Sequence, residues 1–432
     1  TGEQIYLQCV SVETKSNDSL DRKLDRILTS RILGYPVMVL FLALIFWITL
    51  SGANVPTRIL TSSFAKLQLF LHAVFAELGV PSLWTGLLLD GMVRTVAWVV
   101  AVMLPPMAIF FPLFALLEDS GYLPRIAFNM DRFFRRANAH GKQALTMCMG
   151  FGCNACGVSG CRIIDSPRER LVAILTNNFV PCNGRFPTLI ALITLFFTGS
   201  GAALGASAGV IHILPALFLT ALILLGILMT GLVSWLLSRT LLKGLPSSFV
   251  LELPPYRRPQ FCKVILRSFL DRTVFVLLRA VSVAAPAGLL IYLLANTKVQ
   301  DQSILFHCTE ALDPLAWWFG LDGVILLAFL LGFPANEIVI PIMVLCYQSA
   351  GSLSQITDLE QLRLLFLSQG WTWVTALCVL LLCLMHFPCG TTCWTIKKET
   401  RSLQWTAMAM AIPTGVGLLC CFIVATLGRL VA

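Results

Sequence analysis

Three cysteines in this sequence sit where a helix would have to break: Cys153 in GFGCNACG, Cys182 in NNFVPCNGRFP and Cys389 in HFPCGTTCW, each followed by Asn or Gly. Proline removes an intrahelical hydrogen bond and glycine loosens the helix, so each motif brings a thiol and unpaired backbone groups together in apolar surroundings. Asn154 follows Cys153, and Asn336-Glu337 in GFPANEIVIP adds an amide oxygen and a carboxylate in the middle of another apolar window. An ionisable side chain there costs at least about 2.5 kcal/mol unless it is paired or faces water, which makes Glu337 a functional candidate. Thiolate, amide oxygen and carboxylate form a mixed soft and hard donor set. It suits a borderline divalent ion such as Fe(II), Mn(II) or Zn(II) better than Na⁺ or Mg²⁺. The candidate ligands are therefore Cys153, Asn154, Cys182, Asn336, Glu337 and Cys389. His386, three residues before Cys389, is either a further ligand or a structural ring near a helix end. Arg185 is a cation inside an apolar window and needs a partner, either Glu337 or a helix C-terminus.

Other cysteine chemistries fit less well. Cys153 and Cys156 form a CxxC, but no second pair follows at zinc-ribbon spacing and no βαβ pattern surrounds it. Most of the fifteen cysteines lie in apolar windows or beside basic clusters, where structural disulfides are not expected. Cys346, Cys378, Cys383, Cys420 and Cys421 read as small packing residues. No GxxxxGK[ST], nucleophile elbow or HExxH is present, so the chain has no recognisable enzyme site.

The elements that must hold these residues are membrane helices. With 57% hydrophobic residues, 12% charged and a mean hydropathy of +0.83 over 432 residues, the chain carries more apolar surface than a soluble core can hide. Continuous apolar windows near 34–52, 91–117, 171–198, 209–238, 272–296, 322–349 and 405–428 match the length of spanning helices, giving an all-α polytopic membrane protein with about 7–9 transmembrane helices. The net charge of +9 is concentrated in a few connectors, around 22–31, 125–142, 162–170 and 243–267. That distribution marks cytoplasmic loops rather than nucleic-acid binding. Stretches 53–90, 199–210 and 297–321 belong outside. Residues 1–33 read as a cytoplasmic segment ending in a basic amphipathic helix, which places the N-terminus in the cytoplasm.

The chain also resembles itself. LPPMAIFFPLFAL (104–116) and FPANEIVIPIMVL (333–345) share a Pro-x6-Pro skeleton, which equates Cys153 with Cys389 about 50 residues further on. A full crossing by 143–164 would push the basic segment 239–271 outside, so a re-entrant pair there is expected, and the same logic applies to 371–396. In transporters built from repeats, interrupted helices at corresponding positions point to the substrate site. Whether the repeats are parallel or inverted stays open at this level.

These motifs resemble the membrane domain of the FeoB family of bacterial ferrous iron transporters. The similarity runs from LDRILTSRILGYP through SGANVP, LPPMAIFFPLFALLEDSGYLPR, HGKQALTMCMGFGCNACGVSGCRIIDSPRERL, NNFVPCNGRFPTLIA and FVLELPPYRRP to GFPANEIVIP and HFPCGTTCWTIKKET. It implies two Gate repeats, here 91–240 and 272–432, joined by a cytoplasmic connector at 241–271 and preceded by a linker tail (1–33) and a first span with external segment (34–90). It further implies Fe(II) movement across the bacterial inner membrane, gated by a GTP- and Mg-binding G domain that this chain does not contain. In the family the Gate cysteines are metal-pathway residues, which map onto Cys153, Cys182 and Cys389; Cys156, Cys161 and Cys393 are nearby thiols. Cys156 stands where the family has a small residue. Implied partners are the lipid bilayer, the G domain in cis or as a separate chain, small accessory Feo proteins and further copies of the chain. The competing readings are a nucleoside-type or other divalent-metal carrier and a thiol oxidoreductase using Cys153 and Cys156.

Overall fold

The computed structural model describes residues 25–30, 33–136, 141–198, 208–244, 260–299, 302–348 and 359–431. Most of the expected N-terminal amphipathic helix and the segment FVLELPPYRRP lie outside them; within them, residues 25–28 are helical and Asp25 pairs with Arg125 at 2.9 Å.

Helix α1 spans Gly34–Glu77, and α2 is the span Ser82–Asp119. The helix started by the first apolar window thus runs through much of 53–90 instead of stopping at 52. The two pack side by side. Pro105, Pro106 and Pro112 lie inside α2 without breaking it. Helix α3 (Tyr122–Arg136) leads to α4 (Gln143–Gly152), α5 (Asn154–Gly160), α6 (Pro167–Thr176), α7 (Phe186–Ile193) and α8 (Ala208–Arg239). The second half holds α9 (Phe261–Ser268), α10 (Phe275–Asn296), α11 (Ile304–Trp318), α12 (Gly323–Leu331), α13 (Val339–Tyr347), α14 (Leu359–Ser368), α15 (Trp373–Met385), α16 (Gly390–Thr400) and α17 (Leu403–Val431). The described strands are one short antiparallel ribbon, Lys298–Val299 with Gln302–Ser303.

Six helices among the described residues are long and apolar enough to cross a membrane, or up to seven if α11 and α12, bent by 109°, count as one. Apolar side chains cover their outer faces: Leu40, Leu217, Leu278 and Leu419 are each more than half exposed. Such surfaces are satisfied by lipid, so the chain is a polytopic all-α membrane protein.

Two hairpins and two broken spans occupy the middle. Helices α4 and α5 fold back on each other, so that Lys142 at the start reaches the Ile163 carbonyl and Asp165, both at 2.9 Å, at the end. Helices α12 and α13 do the same, and their ends are joined by Tyr347 donating to Asp322. Each hairpin is followed by a helix pair unwound at its centre, α6 to α7 and α15 to α16, the second of which is a candidate span. The second hairpin base lies beside Trp371 at the start of α15, whereas Arg162 at the first base binds Glu399 at the end of α16 with contacts of 2.8 and 2.6 Å. Since α15 and α16 form one 28-residue span, the hairpins enter from opposite ends of the molecule. The repeats are inverted.

This arrangement corrects two expectations. Residues 371–396 do not form a re-entrant pair: Trp373–Thr400 crosses in one direction, and the second hairpin is 323–347, where Asp322 caps the entering helix through the Ile325 amide at 2.7 Å. The Pro-x6-Pro skeleton equates unlike elements, a continuous helix in one half and a hairpin tip in the other. The backbone gives the true correspondence. Cys153 (φ −155°, ψ 125°) and Ala335 (φ −153°, ψ 124°) share one extended conformation, each between an entering helix and the Asn that begins the return. Their contexts are Gly-Phe-Gly-Cys-Asn and Gly-Phe-Pro-Ala-Asn. Cys182 and Cys389, both preceded by proline at the breaks, form the second matched pair.

Candidate functional site

The two hairpin tips meet the two unwound segments in a polar centre enclosed by apolar helices. Asn154, Asn177, Asn178, Asn336, Glu337, His386 and Arg185 are all buried there. Backbone groups freed by each break are taken up by these side chains, which is what unwound backbone requires where water is absent.

Arg185 does most of this. Its guanidinium donates to the Asn178 and Leu384 carbonyls, each at 2.9 Å, to Asn178 Oδ1 and the His386 carbonyl at 3.1 Å, and to the Phe387 carbonyl at 3.3 Å. The partner of this buried cation is therefore a helix C-terminus, one of the two expected options. Positive charge suits the exposed carbonyls at the end of α15. One side chain thus ties the first unwound segment to the second.

An amide chain links the tips. Asn154 donates to Asn178 Oδ1 at 2.9 Å, Asn178 donates to the His386 carbonyl, and His386 Nε2 lies 3.2 Å from the Asn336 side-chain amide. That amide presents Oδ1 to the His386 ring, while its Nδ2 lies 3.9 Å from Cys182 Sγ. Asn183 N donates to the Gly152 carbonyl at 3.4 Å and Gly390 N to the Phe333 carbonyl at 2.7 Å, which fixes each tip against the break of a broken span.

Of the six expected ligands, Asn336 lies against Cys182, and Glu337 faces the same break. Glu337 packs against Gly184, where a Cβ would collide with its Oε1. Cys153 and Cys389 lie within electrostatic reach of Cys182, and Cys389 Sγ sits 3.3 Å from Thr392 Oγ1. Asn154 belongs to the amide chain. No group of three His, Cys, Asp or Glu side chains among the described residues is close enough to hold a metal ion. No disulfide joins the described cysteines.

Sequence reading passed over Asn178 and Gly184. Asn178 precedes the proline break by three residues and Gly184 follows it by three, so both carried the signal of a polar or small residue flanking an intramembrane Pro. At the end of the molecule bearing Lys142, Arg162 and Lys398, a cavity of about 590 Å³ opens beside Cys156, Met149 and Ser159. Glu399 holds the Arg162 guanidinium above its ordinary value at its rim.

A helical membrane protein with two inverted hairpin repeats closing on a polar centre is the class these features define. The family model described as Gate, nucleoside recognition, matches residues 100–197 and 277–403, more than half of the chain. A second, described as ferrous iron transport protein B C terminus, matches 219–271. The chain belongs to this family as a FeoB-type membrane domain. It is 28% identical over 99% of its length to the Fe(2+) transporter FeoB of Staphylococcus aureus (strain COL), and 27% identical over 94% to that of Synechocystis sp.. It is 25% identical over 96% to a Fe(2+) transport protein A/FeoB fusion protein of Porphyromonas gingivalis. The chain spans 62% of the length of the Staphylococcus and Synechocystis relatives and 52% of the fusion. No solved structure matches it.

Proposed function

We propose that this chain is the membrane pathway of a ferrous iron transporter, carrying Fe(II) across a bacterial inner membrane. The observation that carries the reading is the convergence of Cys182, Asn336 and Glu337, with Cys153 and Cys389 close by, where two inverted hairpins abut two broken spans. Inverted repeats meeting at interrupted helices are the arrangement in which one site can be reached alternately from either side. The names of the relatives support Fe(II) as the substrate.

By the positive-inside rule the end bearing Lys142, Arg162, Arg168 and Lys398 faces the cytoplasm, which puts the N-terminus there too. The chain's residues have three tasks in this pathway. Cys182 and the matched Cys389 offer soft ligands, with Cys153 at the inner hairpin tip. Asn154, Asn336 and Glu337 offer oxygen, and the single carboxylate offsets part of the ion's charge in a medium that penalises it. Arg185 does not ligate; it occupies the carbonyls that a cation would otherwise bind and keeps them out of the path. Gating falls to a GTP- and Mg-dependent G domain outside this chain. The fused relative supports an accessory Feo partner, and assembly into homo-oligomers completes the reading.

Reconstitution of the chain in proteoliposomes, with anaerobic Fe(II) uptake as readout, tests this. Cys182→Ser and Glu337→Gln are each expected to cut Fe(II) flux and binding at least tenfold, the scale of losing a metal contact. Wild-type flux in both variants would overturn the pathway. Cys156→Ser is expected to transport normally, and its inactivity would favour the redox reading.

A further inference from the structure

Helices α15 and α17 run antiparallel and pack through small residues of α17. Gly417 lies against the Met385 carbonyl, where a Cβ would come within 3.0 Å, and Gly428 against the Val374 side chain, where it would come within 2.9 Å. Small residues let two backbones approach closely. Between these points Cys378 and Cys421 face each other, both fully buried. Cys421 Sγ donates to the Cys378 carbonyl at 3.2 Å, Cys378 Sγ lies 3.7 Å from the Cys421 carbonyl, and the two thiols also interact directly. A disulfide spans backbones about 4.4–6.8 Å apart, and a sulfur of each cysteine resting on the carbonyl of the other marks such an approach.

The pair lies one helical turn beneath a cavity of about 480 Å³ at the end of the molecule bearing Trp371, the end that faces outward in the reading above. Val374 and Thr375, one turn before Cys378, and Ala425, one turn after Cys421, line it together with Gly320 and Trp371. Gly320 has φ +68°, and a Cβ there would come within 2.8 Å of the Ala425 methyl and 3.2 Å of Cys378 Sγ. The bare glycine therefore makes this turn and leaves the Cys378 sulfur directly under the cavity floor. Thiols so placed are closed to bulky reagents and open to a small uncharged one.

We infer that Cys378 and Cys421 are a redox pair: a small hydroperoxide, hydrogen peroxide being the simplest, joins them in a disulfide that staples α15 to α17 and slows transport. The Cys378 thiolate attacks one peroxide oxygen, breaking the O–O bond, which leaves a sulfenic acid on Cys378 and releases the other oxygen as water once it takes up the thiol proton. The Cys421 sulfur then displaces the sulfenic hydroxyl as a second water, and the S–S bond forms. Together the two sulfurs give up two electrons, and the peroxide takes both. A dithiol reverses the bond by exchange. The effect on transport rests on the pathway reading above. Helix α15 leads into the unwound centre at Cys389, which serves as a hinge between α15 and α16, and a covalent tie to the continuous α17 removes the freedom of that hinge.

Mass spectrometry on the full chain tests the bond without any iron. After brief exposure to hydrogen peroxide and blocking of the remaining thiols, the peptides carrying Cys378 and Cys421 are expected to be joined with the loss of two hydrogens, and a dithiol is expected to separate them. Oxidation that stops at a sulfinic acid on either residue, or that links either one to another cysteine, overturns the inference. In proteoliposomes treated with peroxide and then freed of it, anaerobic Fe(II) uptake in ascorbate is expected to fall at least ~5-fold, the lower end of ordinary coupling between sites, and to recover with the dithiol. Cys378→Ser and Cys421→Ser are each expected to transport like the parent and to keep their uptake after peroxide, whereas Cys420→Ser loses it as the parent does. A linked parent with undiminished uptake, or equal inhibition in the Cys378 and Cys421 variants, overturns the control of transport by this pair. An untreated parent that carries no Fe(II) would instead overturn the pathway reading and with it the effect on transport, while the linked peptides would still show the redox pair.

Discussion

Gly184 fixes how close the first repeat's break can come to the Glu337 carboxylate, because any Cβ there meets Oε1. Gly184→Ala is therefore expected to push the carboxylate out of place and lower Fe(II) affinity by about 10- to 100-fold, with the fold retained as judged by gel filtration and thermal melting. Unchanged affinity would mean that Glu337 does not need its observed position. At this scale the sequence was partly legible. The thiols stood out because Pro and Gly beside cysteine in an apolar window mark a break. The correspondence of Cys153 with Ala335 did not stand out, because a methyl replaces the thiol and only the backbone angles record the equivalence. Gly184 reads as an ordinary loop glycine until the second hairpin is seen against it.

At the scale of elements, the hairpin 323–347 is closed at its base by a chain of donors. Trp371 Nε1 gives to the Tyr347 hydroxyl at 2.8 Å, and Tyr347 gives to Asp322. Tyr347→Phe leaves the buried Trp371 N–H and an Asp322 oxygen unpaired, so it should cost about 1–3 kcal/mol of stability. It should also speed alkylation of Cys182 by a thiol reagent supplied from that end; a rate equal to the parent's would show that the base does not hold the tip closed. The opposite hairpin is held by Lys142 on the Ile163 carbonyl and Asp165 and by the Arg162–Glu399 pair, in which Arg162 is 64% and Glu399 11% exposed. Ion pairs with an exposed partner are typically worth about 1 kcal/mol or less, so this base relies on several weak contacts where the other has a buried chain of donors. Helix content and the first re-entrant pair were readable from hydropathy and charge. Assigning 371–396 as the second hairpin failed for a physical reason: the charges after it fix only where the segment ends, and an inverted repeat that enters from the other side satisfies them equally well.

At the scale of the whole molecule, inversion predicts sidedness. In oriented vesicles, an impermeant maleimide should reach Cys introduced at Arg162 from one side only and Cys introduced at Thr372 from the other only; labelling of both from one side would contradict inverted repeats. Composition alone identified the membrane class, since apolar residues cover the outside of the bundle as well as its inside. What composition could not supply was the centre, where Arg185, Asn178 and His386 come from segments about 200 residues apart. The central claim is that Fe(II) passes a mixed sulfur and oxygen site at this centre. X-ray absorption at the iron edge on the anaerobic Fe(II)-loaded chain tests it most directly. The account predicts a sulfur neighbour at about 2.3 Å together with oxygen or nitrogen neighbours, the sulfur being lost in Cys182→Ala. A first shell of oxygen and nitrogen alone in the parent chain would contradict it.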